Sequence, residues 1–233
     1  MKLKGKIALI TGASRGIGKE IAKRYTREGA HLILAARTVS DLEKLDDEIK
    51  SVTPDAQVTL VPVDLSQQPQ IKELCVSIAQ RFKRLDIIVG NAGILGTLTP
   101  VAHQKIPEIQ SVMDVNLMAN WLLLHYLDPL LQKAKQGRAI FMTSSVVEVE
   151  PYWGAYAISK AALEHLVKTY AAEQTLSSVK ANLVDPGGVW TDMYAQAYPG
   201  EVGKDVKKPE EITDIFVKLA SDDCNLSGQV LAA

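Results

Sequence analysis

Residues 6–18, KIALITGASRGIG, decide the fold. Residues 7–10 are an unbroken apolar run, the pattern of a strand covered on both faces, as in a parallel sheet, rather than one with a wet side. Gly12, Gly16 and Gly18 follow at once, and from Gly18 onward apolar residues recur at helical spacing. A strand, a glycine-rich turn and a helix in that order expose backbone N–H groups and the positive end of a helix, which suits a phosphate. The spacing is G-x-x-x-G-x-G. It is not G-x-G-x-x-G, and it is not a Walker A loop, which would need Gly in place of Ala13 and Ser or Thr in place of Glu20.

The same alternation runs outward along the chain. HLILAA (31–36), QVTLVPV (57–63), LDIIVG (85–90), RAIFMTS (138–144) and VKANLVDP (179–186) read as further strands, and LSGQVLAA at the end supplies a brief last one. Helical periodicity is expected over 18–28, 39–51, 70–84, 108–132, 154–176 and 209–221. Strands alternating with helices imply an α/β fold with a parallel sheet and helices on both faces. No linker, repeat or low-complexity segment interrupts the pattern, so residues 1–233 are expected to form a single domain. The irregular stretches are 93–107 and 191–208. Both follow the C-terminal end of a strand, where open α/β sheets hold ligands, and both are candidate substrate loops.

Composition narrows the function. With 47% hydrophobic and 23% charged residues and a formal net charge of -1, no global field draws nucleic acid or an anionic membrane, and no basic run interleaved with aromatics supports nucleic-acid binding. The lysines before residues 7–10 imitate a signal peptide, but the apolar run is too short. The later run at 121–124 is also far too short to span a bilayer, so no membrane partner is expected. Cys75 and Cys224, unpatterned, fit a reducing cytoplasm. His31, His103, His125 and His165 are scattered without ligand spacing, and no metal site is expected.

TGASRGIG (11–18), VDL (63–65), NAG (91–93), Asn116, Ser144, YAISK (156–160) and PGGVWT (186–191) together resemble the short-chain dehydrogenases/reductases, in order and at matching spacing almost to the C-terminus. The chain is most similar to the compact bacterial members that lack a long substrate-domain extension. The resemblance implies a Rossmann-type doubly wound sheet of about six to seven strands and an oxidoreductase that moves a hydride between nicotinamide and a carbonyl or secondary alcohol. It assigns cofactor contacts to Gly12, Ser14, Arg15, Gly16, Ile17 and Gly18, to Asp64 and Leu65 near the adenine, and to Asn91, Ala92 and Gly93. It extends them to Tyr156, Lys160, Pro186, Gly187, Val189 and Thr191.

The strand 31–36 ends in Ala36 and Arg37, with no carboxylate until Asp41. An acidic residue there would bind the ribose of NAD and repel a 2′-phosphate. Arg37 and Arg15 instead suit that phosphate, so the expected cofactor is NADP(H).

Hydride transfer to a carbonyl also needs a proton donor. Tyr156 and Lys160 lie one helical turn apart on one face. A phenol ordinarily titrates near 10, and a neighbouring ammonium together with the positive nicotinamide ring of the oxidised cofactor is expected to bring that value down toward the working range. Tyr156 is the expected acid/base. Ser144 and Ser145 compete for the substrate-orienting hydroxyl; counted from Arg138, Ser144 matches the family position, although the loop from there to Tyr156 is about one residue shorter than usual, and Ser144 is the one expected. By resemblance, Asn116 distorts its helix and holds a water that relays protons through Lys160, and Lys160 also meets the nicotinamide ribose.

Tyr152, Trp153, Trp190, Tyr194 and Tyr198 crowd the same region; if they line the pocket, the substrate is apolar or aromatic near its carbonyl. Gly90 stands where the family usually has Asn. The paired glycines of the usual tail are absent at Ala233, which favours a homodimer, built on 108–132 and 154–176, over a tetramer. The leading expectation is an NADPH-dependent carbonyl reductase acting on a small molecule. One alternative is an NADP(H)-binding regulatory protein of the same fold, against which the full set Asn116, Ser144, Tyr156 and Lys160 argues. Another is a sugar-nucleotide epimerase or dehydratase, against which stands the length of about 45 residues after Pro186.

Overall fold

The computed structural model describes residues 1–200 and 206–233. Seven strands form one sheet: β1 (Ile7–Thr11), β2 (His31–Ala36), β3 (Val58–Pro62), β4 (Ile87–Gly90), β5 (Arg138–Met142), β6 (Lys180–Asp185) and β7 (Val230–Ala232). Their order is β3-β2-β1-β4-β5-β6-β7, and every pairing is parallel. The helices are α1 (Gly16–Arg27), α2 (Val39–Val52), α3 (Gln68–Arg81), α4 (Ile106–Met113), α5 (Ala119–Gln132), α6 (Gly154–Glu173), α7 (Asp192–Ala197) and α8 (Thr213–Ala220).

The unbroken apolar run in β1 has its reason in the two faces of the sheet. Ala8 and Ile10 point into a core with Ile21, Leu42 and Phe216 from α1, α2 and α8. Leu9 points the other way, among Ile71, Leu123 and Leu163 from α3, α5 and α6. Each fully buried aliphatic side chain contributes roughly 1.5–3 kcal/mol, so this doubly covered, doubly wound sheet is where the stability resides. β1 lies between β2 and β4. The connections after β1 and β4 therefore leave toward opposite faces, and a crevice opens at the C-terminal ends of these two strands.

Four stretches differ in detail from the periodicity of the sequence. The helical stretch 108–132 changes type where Asn116 was expected to distort it: α4 ends at Met113, a π turn occupies Asp114–Met118, and α5 begins at Ala119. The stretch 191–208 is not irregular throughout, because α7 occupies its first part; residues 201–205 lie outside the described residues. The stretch 93–107 contains a 3-10 turn, Val101–His103, and the first residues of α4. The helix over 209–221 starts as a 3-10 turn, Pro209–Ile212, where the proline fixes the entry.

Candidate active site

Thr11 and the glycine loop form the crevice floor. The Thr11 hydroxyl accepts from the N–H groups of Asn91 and Ala92, each at 3.1 Å, and Asn91 Nδ2 donates to the carbonyls of Thr11 and Gly12. The loop after β1 is thus stitched to the loop after β4. Gly12 has φ +61°, and a Cβ there would stand 2.9 Å from Cα of Ala92, so the turn admits only glycine. A Cβ on Gly18 would collide with the Gly12 carbonyl and the Asn91 side chain. This cross-linked loop leaves the N-terminus of α1 facing the crevice, with Ser14, Arg15, Gly16 and Ile17 along it.

Arg15 and Arg37 are both exposed. Arg15 pairs with Asp192 at 3.2 Å, both side chains more than two-thirds exposed, so this ion pair is worth little in stability. Arg37 follows directly on β2. Asp64 closes a local turn, its Oδ1 accepting from the N–H and the hydroxyl of Ser66, and Leu65 is buried. Pro186 and Gly187 follow β6, with Gly187 N–H donating to Asp185 Oδ1 at 3.0 Å. Val189 is buried, and Thr191 caps α7, its Oγ1 accepting from the Tyr194 N–H at 3.2 Å. The Thr191 methyl stands 3.4 Å from where a Cβ on Gly16 would be, so the strand-six loop reaches the glycine loop.

Tyr156 and Lys160, on the first turns of α6, are 7% and 3% exposed. Lys160 Nζ is 5.7 Å from the Tyr156 ring centroid and donates to the Met142 carbonyl at 2.9 Å. Ser144 hydrogen-bonds the Tyr156 phenol, whereas Ser145 is exposed and begins a 3-10 turn. Burial pushes the Tyr156 phenol up to about 12, with the Ser144 hydrogen bond pulling down and the Asp185 carboxylate adding to the rise. Burial likewise holds the Lys160 ammonium down at about 8. Desolvation of the phenolate is thus the largest influence on the Tyr156 phenol in this enclosure.

A Cβ on Gly93 would lie 3.4 Å from Asn116 Oδ1 and 3.6 Å from Lys160 Nζ, so residues 91–93 run between the glycine loop and the Tyr156 face. Asn116 sits in the π turn, fully buried. Its Oδ1 accepts from Ile94 N–H at 2.8 Å, and its Nδ2 donates to the Ile94 carbonyl and to Ser159 Oγ, each at 3.0 Å. Sequence reasoning missed Thr11, Ser159, Gln104 and Asn120 as supports. The findable signal was Asn120 itself, a second Asn one helical turn after Asn116 in an otherwise apolar helix.

The walls are aromatic. Ring centroids lie 5.7 Å apart for Tyr156 and Trp153, 6.0 Å for Trp153 and Tyr198, 4.9 Å for Tyr198 and Tyr194, and 6.0 Å for Tyr194 and Trp190. Tyr152 has φ +74° and is 60% exposed, and its carbonyl accepts from Thr99 N–H at 3.0 Å. Gln104 Oε1 accepts from Ala155 N–H at 3.0 Å, which ties the loop after β4 to the start of α6. Among the described residues no group of three or more His, Cys, Asp or Glu could hold a metal ion, and no helix is long and apolar enough to cross a membrane.

A profile of the short chain dehydrogenases matches residues 6–201. The uncharacterized oxidoreductase YciK of Escherichia coli strain K12 is 36% identical over 223 residues, which span 95% of this chain and 88% of that protein. A solved structure of a protein from Pseudomonas syringae superposes with a TM-score of 0.95 at 36% identity, covering 99% of this chain and 95% of that one. A crystal structure of a protein from Escherichia coli CFT073 complexed with NADPH gives 0.94 at 35% identity, covering 99% and 97%. Strand order, glycine loop and likeness over nearly the whole length converge: the chain belongs to the short chain dehydrogenase family.

Proposed function

We propose that the protein is an NADP(H)-dependent carbonyl reductase. The observation that carries the reading is the meeting of Ser144, Tyr156 and Lys160 beside the loop 91–93, whose other side packs against the glycine turn. The residues fit the cofactor. Gly12, Gly16 and Gly18 keep the backbone bare at the N-terminus of α1, where Ser14 and Ile17 also lie and a diphosphate is favoured. Arg15 and Arg37 supply guanidinium groups for a 2′-phosphate, and no carboxylate ends β2. Asp64 and Leu65 would bound the adenine. Asn91, Ala92, Gly93, Lys160, Pro186, Gly187, Val189 and Thr191 would bound the ribose and nicotinamide end.

When bound, NADPH supplies the hydride that reduces the carbonyl carbon. Tyr156 delivers its proton to the carbonyl oxygen, which completes the alcohol. A phenol raised to about 12 is fully protonated at neutral pH, so it stands ready as an acid. Ser144 donates a hydrogen bond to the same oxygen as charge develops there. Lys160, 5.7 Å from the ring, favours the phenolate left behind. Asn116 clamps Ile94 and Ser159 around this pair. The run of rings from Trp153 to Trp190 supports a substrate that is apolar or aromatic next to its carbonyl.

The whole of 1–233 is read as one catalytic unit acting in a reducing cytoplasm, consistent with two free, buried cysteines. A groove of about 750 Å³ between α5 and α6, lined by Leu117, Trp121, Leu124 and Leu166 among others, supports a homodimer pairing these helices.

The test follows NADPH absorbance over a panel of aldehydes, ketones and diketones, with wild type and Tyr156→Phe, repeated with NADH. Turnover with NADPH that collapses in the variant is the expected result. Tight NADPH binding by both proteins without turnover on any compound would replace this reading with a regulatory nucleotide-binding protein.

A further inference from the structure

A π turn takes backbone groups out of the ordinary helical ladder, and something must hold it. At Asp114–Met118 the Asn116 carbonyl accepts from Nδ2 of Asn120 at 2.8 Å. Asn120 is 2% exposed and lies on a helix whose buried neighbours are Ala119, Leu123, Leu124 and Leu127. A buried amide in such company costs stability unless it is bonded, and here its donor is spent on that one carbonyl. From Asn116 the bonds continue. Its Nδ2 donates to Ser159 Oγ at 3.0 Å, and Ser159 Oγ donates to the Tyr156 carbonyl at 2.7 Å. A buried chain thus runs Asn120, Asn116, Ser159, Tyr156, with a branch to both backbone groups of Ile94.

Gly90 makes the room. A Cβ there would stand 2.5 Å from Oδ1 of Asn120 and would collide with the Phe141 ring. The bare glycine at the end of β4 and the amide on α5 fit one space.

We propose that Asn120 is a positioning residue for the reaction. By taking the Asn116 carbonyl it holds the π turn, the turn aims the Asn116 side chain at Ile94 and Ser159, and these fix the helical turn that carries Tyr156 and Lys160. The inference rests on the reading of Tyr156 as proton donor.

The test compares Asn120→Thr with Asn120→Val. The two side chains have the same shape, but a threonine hydroxyl in a helix reaches the carbonyl four residues back and valine has no donor. The valine variant is expected to lose about tenfold or more in kcat, as small misplacements of reacting groups do, with the NADPH dissociation constant little changed. The alkaline limb of its kcat profile, set by Tyr156 and Lys160, moves. The threonine variant recovers most of kcat and restores the limb. Hydrogen exchange at the Ile94 amide, which needs no turnover, rises in the valine variant and stays slow in the threonine variant. If the valine variant does not fold, Asn120→Ser and Asn120→Ala are compared by the same readouts.

Equal kcat and pH profiles in the two members of a pair, or unchanged Ile94 exchange on loss of the donor, would overturn the proposal. Absence of turnover in wild type, with Ile94 exchange responding as described, would instead sink the catalytic reading and leave the hold on the π turn standing.

Discussion

At the scale of residues, Tyr156 is governed by the conflict between burial and ionisation. Enclosure pushes its phenol up to about 12 and holds Lys160 down at about 8, so the pair at neutral pH is a protonated acid beside a cation close to losing its proton. Ser144 touches the phenol and Ser145 does not share its burial. Ser144→Ala is therefore expected to lower kcat by about 10²–10³-fold, the usual cost of one donor to a developing oxyanion, while Ser145→Ala stays near wild type. Steady-state kinetics with one accepted carbonyl substrate decides this. The one-turn spacing of Tyr156 and Lys160 was legible in the sequence. The burial of the pair was not, because spacing reports a neighbour's charge but not how much water surrounds it.

At the scale of elements, strand, glycine turn and first helix were legible because each leaves a local pattern. The apolar run of β1 needs both faces covered, and the positive φ of Gly12 needs glycine. The distortion in 108–132 was expected at Asn116 from resemblance and not from periodicity, since α4 and α5 keep helical spacing on either side. Two kinds of bond hold it: Ile94 and Ser159, distant in sequence, hold the Asn116 side chain, and Asn120, one turn on, holds its carbonyl. α7 escaped for a different reason. Six residues are too few for a helical stripe to show, and only the cap at Thr191 marks its start. Thr191→Ala removes that cap, at an expected cost of about 1 kcal/mol. Because Thr191 also abuts Gly16, the same variant is expected to weaken NADPH binding, and fluorescence titration beside a denaturant melt reads both.

At the scale of the whole molecule, the price of the site is carried by the sheet and its two cores. Lys160 ordinarily titrates at 10.5 and is held at about 8 in the fold, so between these values the unfolded chain binds more proton. Stability contributed through this group therefore rises as pH climbs across that window. Wild type is expected to gain stability relative to Lys160→Met between pH about 8 and about 10.5, read from urea midpoints; a constant difference would show that Lys160 is not held down. The helix faces at α5 and α6 make a second prediction. Trp121 is 51% exposed beside their groove, and Trp121→Glu is expected to turn a dimer into a monomer in sedimentation velocity. Wild type sedimenting as a monomer would remove the dimer.

The central claim is that a hydride reaches a carbonyl carbon in this crevice while Tyr156 supplies the proton. The most direct measurement uses NADPH carrying deuterium at the transferable position of the nicotinamide, with mass spectrometry of the alcohol formed from each carbonyl compound of the panel. Wild type is expected to give an alcohol with one deuterium on its carbinol carbon, and Tyr156→Phe to give none. An alcohol without deuterium, or no alcohol from any compound despite saturating NADPH, would contradict it.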